Sequence, residues 1–367
     1  MNILVTGVDG YIGSVLAPYL MQHGDSVTGL DTGFYREGWL YNEISEKFPS
    51  CINKDLREVT HRDLHGFDAV VHLAELSNDP LGQHNPNLTY RINHLGTVAL
   101  AAKCKELGIR RFVYTSSCSV YGAGVGDFKF EDSATNPQTA YAKCKVMVER
   151  DLSAMATDDF SPTFLRNATA YGSSPRMRFD IVLNNLAGLA WTTKEIRMSS
   201  DGSPWRPLVH VQDITQAIAC VLKAPRHLVH KQIFNVGSTS ENYQVREIAE
   251  IVADTFPNCD LTFGHCDGDN RSYRVCFDKI HSQLPGFQCR RDARTGAREL
   301  LDLFQSIDMS QEVFEFRAYT RLKQLQHLIR TGQIDEQFYW TRNDTLEPGR
   351  FRSKNSSEIH PAAASNL

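Results

Sequence analysis

The pair in this chain best suited to chemistry is a tyrosine and a lysine four residues apart, Tyr141-Ala-Lys-Cys-Lys145. On a helix this spacing puts both on one face. An ammonium beside a phenol favours the phenolate, so such a tyrosine can exchange a proton with a hydroxyl near neutrality. Upstream, the apolar run Arg111 to Thr115 leads into Ser116-Ser117-Cys118-Ser119. Hydroxyls at the carboxyl end of a parallel strand face a ligand crevice. Ser117 is therefore placed to hydrogen-bond the oxygen that Tyr141 deprotonates. Alone, the Tyr–Lys spacing also fits an ordinary surface helix pair. Cys118 reads as a small buried residue rather than a nucleophile, because free cysteine usually behaves as a small hydrophobe.

The elements that must position this pair begin at residue 1. Ile3 to Val5 has strand character and breaks at Thr6-Gly7; Gly10 and Gly13 follow, and Tyr11 to Leu20 is apolar-periodic. Strand, glycine turn and helix aim backbone N–H groups and the positive helix end at a pyrophosphate. A second strand, Ser26 to Leu30, ends at Asp31, where a carboxylate can accept hydrogen bonds from an adenosine ribose. That charge repels a 2′-phosphate, so NAD is expected over NADP, with Arg36 nearby softening the preference. An oxidised nicotinamide would push Tyr141 toward its phenolate, as Lys145 does.

Short buried-strand runs at Asp68–Leu73 and Arg111–Thr115 alternate with helical patterns at Leu88–Glu106 and Thr139–Met155. The alternation predicts an α/β fold: a Rossmann-type, doubly wound parallel sheet over residues 1–166. Further helices are expected at Phe179–Thr192, Gln212–Lys223, Val245–Phe256 and Ser310–Ile329. Strands are expected near Pro207–Val211 and Gln232–Val236. Residues 167–340 read mainly as a smaller C-terminal α/β substrate lobe, with segments such as 206–236 returning to the first domain. From Thr341 the chain loses periodicity and is rich in Ser, Asn and Pro, which predicts a disordered tail.

Composition narrows the class. The 367 residues are 41% hydrophobic and 22% charged, ordinary for a soluble enzyme. A net charge of −4 gives no electrostatic reason to expect nucleic acid. No apolar stretch approaches the ~20 residues that cross a bilayer, and the first strand leaves no room for a signal peptide. A cytoplasmic protein is expected. Its nine cysteines lack any C-x-x-C pair, so free thiols are expected and zinc is not. His61, His65, His72, His84 and His94 have no metal-ligand spacing, and His72, ending an apolar strand, reads as core.

Together these features resemble the extended short-chain dehydrogenase/reductases, specifically the NAD-dependent nucleotide-sugar epimerase/dehydratase group typified by UDP-galactose 4-epimerases. The matching motifs are Thr6-Gly-x-x-Gly-x-x-Gly13, Asp31, Asp55-Leu56, His72-Leu-Ala74, Asn93-x-x-Gly96-Thr97, Ser116-Ser117, Val120-Tyr121-Gly122, Tyr141-x-x-x-Lys145, Arg166, Tyr171-Gly172 and Arg206-x-x-Val-His210-Val-x-Asp213. They span roughly residues 1 to 285. The resemblance implies NAD, a nucleoside-diphosphate sugar, and a homodimer built from the helices near 88–106 and 139–155. Carried over, Gly7, Gly10 and Gly13 hold the pyrophosphate, Asp31 the ribose, and Asp55-Leu56 flank adenine. Leu73-Ala74 lie along the cofactor, and Lys145 also holds the nicotinamide ribose. Tyr11, Ile12, Asn93 and Ser116 complete the cofactor set. Asn185-Leu186 and Arg206 resemble the residues that grip a sugar nucleotide.

Three departures refine the expectation. The 4,6-dehydratases carry Thr-Asp-Glu before Val-Tyr-Gly, whereas here Ser117, Cys118 and Ser119 stand there, without the acid and base of water elimination. Thr169 holds a place the family often fills with Asn. The usual arginine before a late Gly-Asp is missing from Gly264-His-Cys-Asp-Gly268-Asp269-Asn-Arg271-Ser-Tyr-Arg274, so Arg271 or Arg274 replaces it. The expected activity is epimerisation by transient oxidation of a sugar hydroxyl. The alternatives are a keto-sugar reductase using the same residues and a non-catalytic dinucleotide sensor, against which the intact Ser117, Tyr141 and Lys145 speak.

Overall fold

A computed structural model describes residues 1–41, 48–77, 79–123, 127–265 and 271–341. Most of the 341–367 tail expectation therefore lies outside the described residues, as do residues 266–270 of the late Gly-Asp segment.

Seven strands form one parallel sheet: β1 (Asn2–Thr6), β2 (Ser26–Asp31), β3 (Ser50–Asn53), β4 (Ala69–His72), β5 (Arg111–Ser117), β6 (Ser161–Asn167) and β7 (Ile233–Val236), in the order β7-β6-β5-β4-β1-β2-β3. The central strands are buried on both faces, which is why β1, β4 and β5 read as near-continuous apolar runs. The order reverses between β1 and β4, so a crevice opens beyond the carboxyl ends of those two strands. Helices α1 (Gly13–Gln22), α2 (Thr97–Glu106), α3 (Ala140–Met155) and α5 (Val211–Lys223) flank the sheet, with α1 and α5 packing together.

The remaining elements gather at the carboxyl edge. Thr169–Tyr171, Trp205–His210 and Asn242–Gln244 form a three-stranded sheet. Over it pack α4 (Val182–Thr192), α6 (Val245–Thr255) and α7 (Ala293–Ser306), around Phe179, Leu186, Phe256 and Phe304. The chain then returns to the first half. In α8 (Arg321–Arg330) and the turn after it, Leu325, Leu328, Ile334 and Phe338 close a cluster with Phe34, Leu76, Leu88 and Ile92.

Some elements differ from expectation. The single helix expected at 88–106 is three pieces: a turn at Pro86–Thr89, a π-helical stretch at Tyr90–Gly96, and α2. Such a widened turn leaves no trace in apolar spacing. The helix expected at 310–329 breaks at Phe316, whose backbone is extended (φ −58°, ψ 126°) and whose ring packs on Tyr319. Strand β3 was not expected; it is four residues of mixed polarity at the sheet edge. Helix α7 was not expected either, although Ala293, Ala297, Leu300 and Phe304 mark a buried face at helical spacing. Its Gly296 hides the pattern. A Cβ there would lie 2.2 Å from the Tyr171 ring, so the close packing demands glycine.

Candidate active site

Helix α3 starts where the Thr139 hydroxyl accepts the Ala142 N–H at 3.2 Å, a side-chain cap that fixes Tyr141 in its first turn and Lys145 in its second. Both face the end of β5. Lys145, 3% exposed, donates to the Thr115 carbonyl at 2.5 Å and lies 5.3 Å above the Tyr141 ring. The Ser117 side chain lies on the Tyr141 side of the crevice and favours its phenolate. The Ser117 hydroxyl also accepts the Ser119 N–H at 3.1 Å, which sets its rotamer. Against the sequence expectation of a lowered phenol, burial pushes Tyr141 above its ordinary value, and Lys145 pulls it only part of the way back.

The glycine turn beyond β1 is built from backbone. Gly7 has φ +73°, and a Cβ on it would meet the Ala74 nitrogen at 2.8 Å. Only glycine lets β1 turn this close to the chain leaving β4. A Cβ on Gly13 would lie 2.3 Å from the Gly7 carbonyl oxygen, whereas Gly10 meets only that carbonyl, at 3.0 Å, and is otherwise open. Leu73 and Ala74 both donate their N–H groups to the Thr6 hydroxyl at 3.2 Å. Asp31 accepts Gly33 N–H at 2.8 Å and Asp9 N–H at 3.1 Å. Burial, with the Asp9 carboxylate beside it, pushes its carboxyl up to about 6.

Several residues expected at the cofactor have their side chains committed to the protein itself. The Ser116 hydroxyl donates to Glu149 at 2.6 Å inside a buried network, where Glu149 also takes two bonds from Arg166 at 3.0 and 2.7 Å. Asn93, fully buried, accepts the Leu76 N–H at 2.9 Å and donates to the Leu76 carbonyl at 3.1 Å. The Asp55 carboxylate caps its own turn and is held by Arg57 at 2.7 and 2.8 Å. The Tyr11 hydroxyl donates to the Gly172 carbonyl at 2.7 Å, and Ile12 is packed between two clusters. Leu56 is buried under the 90–96 stretch. His72 is core, bonded through Nδ1 to Thr6 at 2.6 Å and through Nε2 to Thr97 at 2.8 Å; burial pushes its pKa down to about 3.

In the second half, Arg206, Arg271 and Arg274 come together. Arg206 donates to the Arg271 carbonyl, Arg271 pairs with Asp79, and Arg274 stacks 4.7 Å from Phe128 and 5.2 Å from Trp205. Asp79, also bonded by Thr139, ties this patch to the first turn of α3. Thr169 sits half-buried at the start of its strand. Asn185 donates to the Phe179 carbonyl at 2.9 Å, and Leu186 is core. Its neighbour Asn184, which sequence reasoning passed over, is the buried hub: it accepts Gly172 N–H at 3.0 Å and donates to the Arg178 carbonyl at 3.2 Å.

Sequence reasoning also missed Glu75, Asp9, Arg176 and Arg178. Asp9, in the glycine turn, lies 3.4 Å from Arg36 and 3.7 Å from Arg176. Glu75 contacts Lys145 at 2.5 Å. Among the described residues, no group of three or more His, Cys, Asp or Glu could hold a metal ion, and no helix is long and apolar enough to cross a membrane.

A parallel sheet that reverses order beside a glycine turn, with Ser, Tyr and Lys at the crevice, defines the class of dinucleotide-dependent oxidoreductase folds. The chain belongs to the NAD dependent epimerase/dehydratase family, whose model matches residues 3–237. It is an enzyme of that class, and NAD is the family's cofactor. It is similar to the UDP-glucose 4-epimerase of Mycolicibacterium smegmatis, 31% identical over 69% of this chain and 82% of that one. The UDP-glucose 4-epimerase of Corynebacterium glutamicum is 28% identical over 68% and 79%. Among solved structures, the NAD dependent NDP-hexosamine 5,6-dehydratase TunA superposes with a TM-score of 0.73 at 26% identity, over 83% of this chain and 98% of that one. MoeE5 in complex with UDP-glucuronic acid and NAD gives 0.71 at 26%, over 83% and 99%.

Proposed function

We propose that the protein is a nucleoside-diphosphate-sugar 4-epimerase that keeps its NAD between turnovers. The single observation carrying this reading is the cluster of Tyr141, Lys145 and Ser117 at the end of β5, beside a glycine turn that fits a dinucleotide. The open face at Gly10 and the start of α1 suit a pyrophosphate, and the Asp31 carboxylate suits a ribose. NAD, when bound, supplies a two-electron acceptor that returns what it takes. Tyr141 removes the proton from the sugar hydroxyl as its carbon becomes a ketone, and Ser117 holds that oxygen. Lys145 keeps the phenolate accessible. After the keto sugar turns over, Tyr141 returns the proton to the opposite configuration, and the net redox change is zero. Arg206, Arg271 and Arg274 are suited to a diphosphate, because guanidinium forks match its oxygens.

The epimerase reading is preferred to a dehydratase on the side chains near Tyr141. Cys118 is 1% exposed and donates to the Arg166 carbonyl at 3.2 Å, so it faces away from the crevice. Burial pushes its thiol far up. Two carboxylates act on Tyr141, and both are engaged, Glu75 by Lys145 and Asp79 by Arg271. Neither is free to shuttle the protons of water elimination. A homodimer through the 90–106 segment and α3 belongs to the same proposal; Leu95 is 56% exposed there, which suits a face covered by a second copy. The test is the nucleotide content of the purified protein. Bound NAD with turnover of a UDP-hexose in the absence of added cofactor supports the epimerase. Protein that consumes one NAD(P)H per product is a reductase instead.

A further inference from the structure

Glu75 stands out because a carboxylate has been buried against the lysine of the proposed proton-transfer pair. Its side chain is 3% exposed and that of Lys145 is 4% exposed. Its Oε2 lies 2.5 Å from the Lys145 ammonium, and its Oε1 accepts the Tyr114 hydroxyl at 2.6 Å. The backbone on either side is clamped. Ala74 is fixed by the Thr6 hydroxyl, and Leu76 is held by both polar atoms of Asn93. Burial pushes the Glu75 carboxyl above its ordinary value, and Lys145 and the Tyr114 hydroxyl pull it part of the way back; a carboxylate taken out of water is costly to bury for structure alone, since an apolar residue would fill the space at less cost.

We propose that Glu75 is a positioning residue of the reaction: it holds Lys145 over the Tyr141 ring and, by balancing the lysine's charge, sets the pH at which Tyr141 loses its proton. The inference rests on the reading of Tyr141 as the acid–base group. Lys145 is held on one side by Glu75 and the Thr115 carbonyl, with the Tyr114 ring 4.6 Å away. The Tyr141 ring is 5.3 Å away. An unbalanced ammonium there would pull the phenol far toward phenolate. With Glu75 present, the pull is moderated, so the tyrosine can return its proton as readily as it takes it. An epimerase needs both directions in every turnover. Burial works against the Lys145 ammonium, yet Glu75 holds its pKa above the ordinary value. Burial raises the Tyr141 phenol, Lys145 lowers it, and Glu75 raises it again. The other charged groups facing Tyr141 are Asp79, from the segment after β4, and Arg178, from the segment after Thr169–Tyr171; Tyr114 and Ser117 face it from β5. Asp79 is already paired with Arg271 and Arg178 with Asp180, at 2.8 Å in the latter case. That leaves Glu75 as the carboxylate that acts on Tyr141 through Lys145.

The test follows tyrosinate absorbance in the ultraviolet as pH is raised on the full-length, NAD-loaded protein, and needs no substrate. The chain holds 13 tyrosines, so Tyr141→Phe supplies the blank. The transition lost in Tyr141→Phe is expected to move to lower pH in Glu75→Gln, by roughly one pH unit, the size of shift a nearby charge produces. Glu75→Asp, whose carboxylate is one methylene further from the lysine, is expected between the two, and it carries the test by itself if Glu75→Gln is not recovered folded. Melting temperature, followed in parallel, is the only property a merely structural carboxylate would move. A transition that is lost in Tyr141→Phe but unmoved in the Glu75 variants overturns the role of Glu75 and leaves that of Tyr141 standing. A titration curve that loses no transition in Tyr141→Phe overturns the Tyr141 reading, and this inference with it.

Discussion

Asn93 closes a two-bond clamp on Leu76, accepting its N–H at 2.9 Å and donating to its carbonyl at 3.1 Å, all within the buried interior. The clamp pins the segment that carries Glu75 beside Lys145. Asn93→Ala leaves two buried backbone groups unpaired, at about 1–3 kcal/mol each when unrelieved. The expected outcome is a lower denaturation midpoint together with at least a tenfold loss of turnover. Loss of stability with full activity in the folded fraction would show that the clamp does not serve the site.

Tyr141→Phe is expected to cut turnover at least ~10²-fold with little loss of bound NAD, since general acid–base catalysis contributes about that much. Ser117→Ala removes a hydrogen-bonding partner and leaves the base, so it is expected to lose less. The check is kcat against NAD content for both variants, and near-normal turnover in Tyr141→Phe would remove the assignment.

Binding of NAD to the stripped protein is expected to weaken in acid. Burial and Asp9 push the Asp31 carboxyl up to about 6. A ribose hydroxyl donates to the ionised form, so binding favours loss of that proton. Affinity is therefore expected to be nearly flat from pH 7 to 8 and to fall about tenfold between pH 7 and 5. Asp31→Asn should flatten the profile, and calorimetric titration across pH reads it. The same carboxylate predicts tighter binding of NAD than NADP; the reverse order would discount Asp31 as the ribose partner.

Two truncations separate the end of the chain into parts. Trp340 donates to the Thr32 carbonyl at 2.8 Å, Tyr339 lies under the Arg57 guanidinium at 3.8 Å, and Phe338 packs on Phe34. A chain ending after Thr341 keeps all of these contacts and is expected to melt as the full chain does. Ending before Arg321 uncovers Leu76 and Phe34 and is expected to lower the melting temperature by several degrees and weaken NAD binding. Equal melting of the two truncated forms would contradict this.

What sequence made legible is what is local. The glycine turn, Asp31, the strand-end serines and the Tyr141–Lys145 spacing each lie within one turn or one strand, where periodicity and residue type speak directly. Glu75 is invisible at that level, because its role exists only once β4 and α3 lie side by side. Asn93 and Ser116, expected at the cofactor, bond through their side chains to Leu76 and Glu149, partners that no spacing reveals. Asn184, not Asn185, is the buried hub, a choice between neighbours decided by which face of α4 meets Gly172. The return of residues 321–341 to the first half was unreadable because its apolar face matches a cluster almost three hundred residues earlier.

The most direct test of the central claim is the mass of the product. In the proposed mechanism Tyr141, Ser117 and Lys145 exchange a proton at a carbinol, while Cys118 donates to the Arg166 carbonyl and Ser119 offers no acid. The protein is to be incubated separately with UDP-glucose, dTDP-glucose, GDP-mannose and CDP-glucose, and the sugar nucleotides weighed by mass spectrometry, with NMR of any UDP-hexose recovered. The account predicts no loss of water from any of them, and an inverted C4 centre at unchanged mass in the accepted substrate. Appreciable product lighter by one water would contradict it, and would assign the acid and base of elimination to this site.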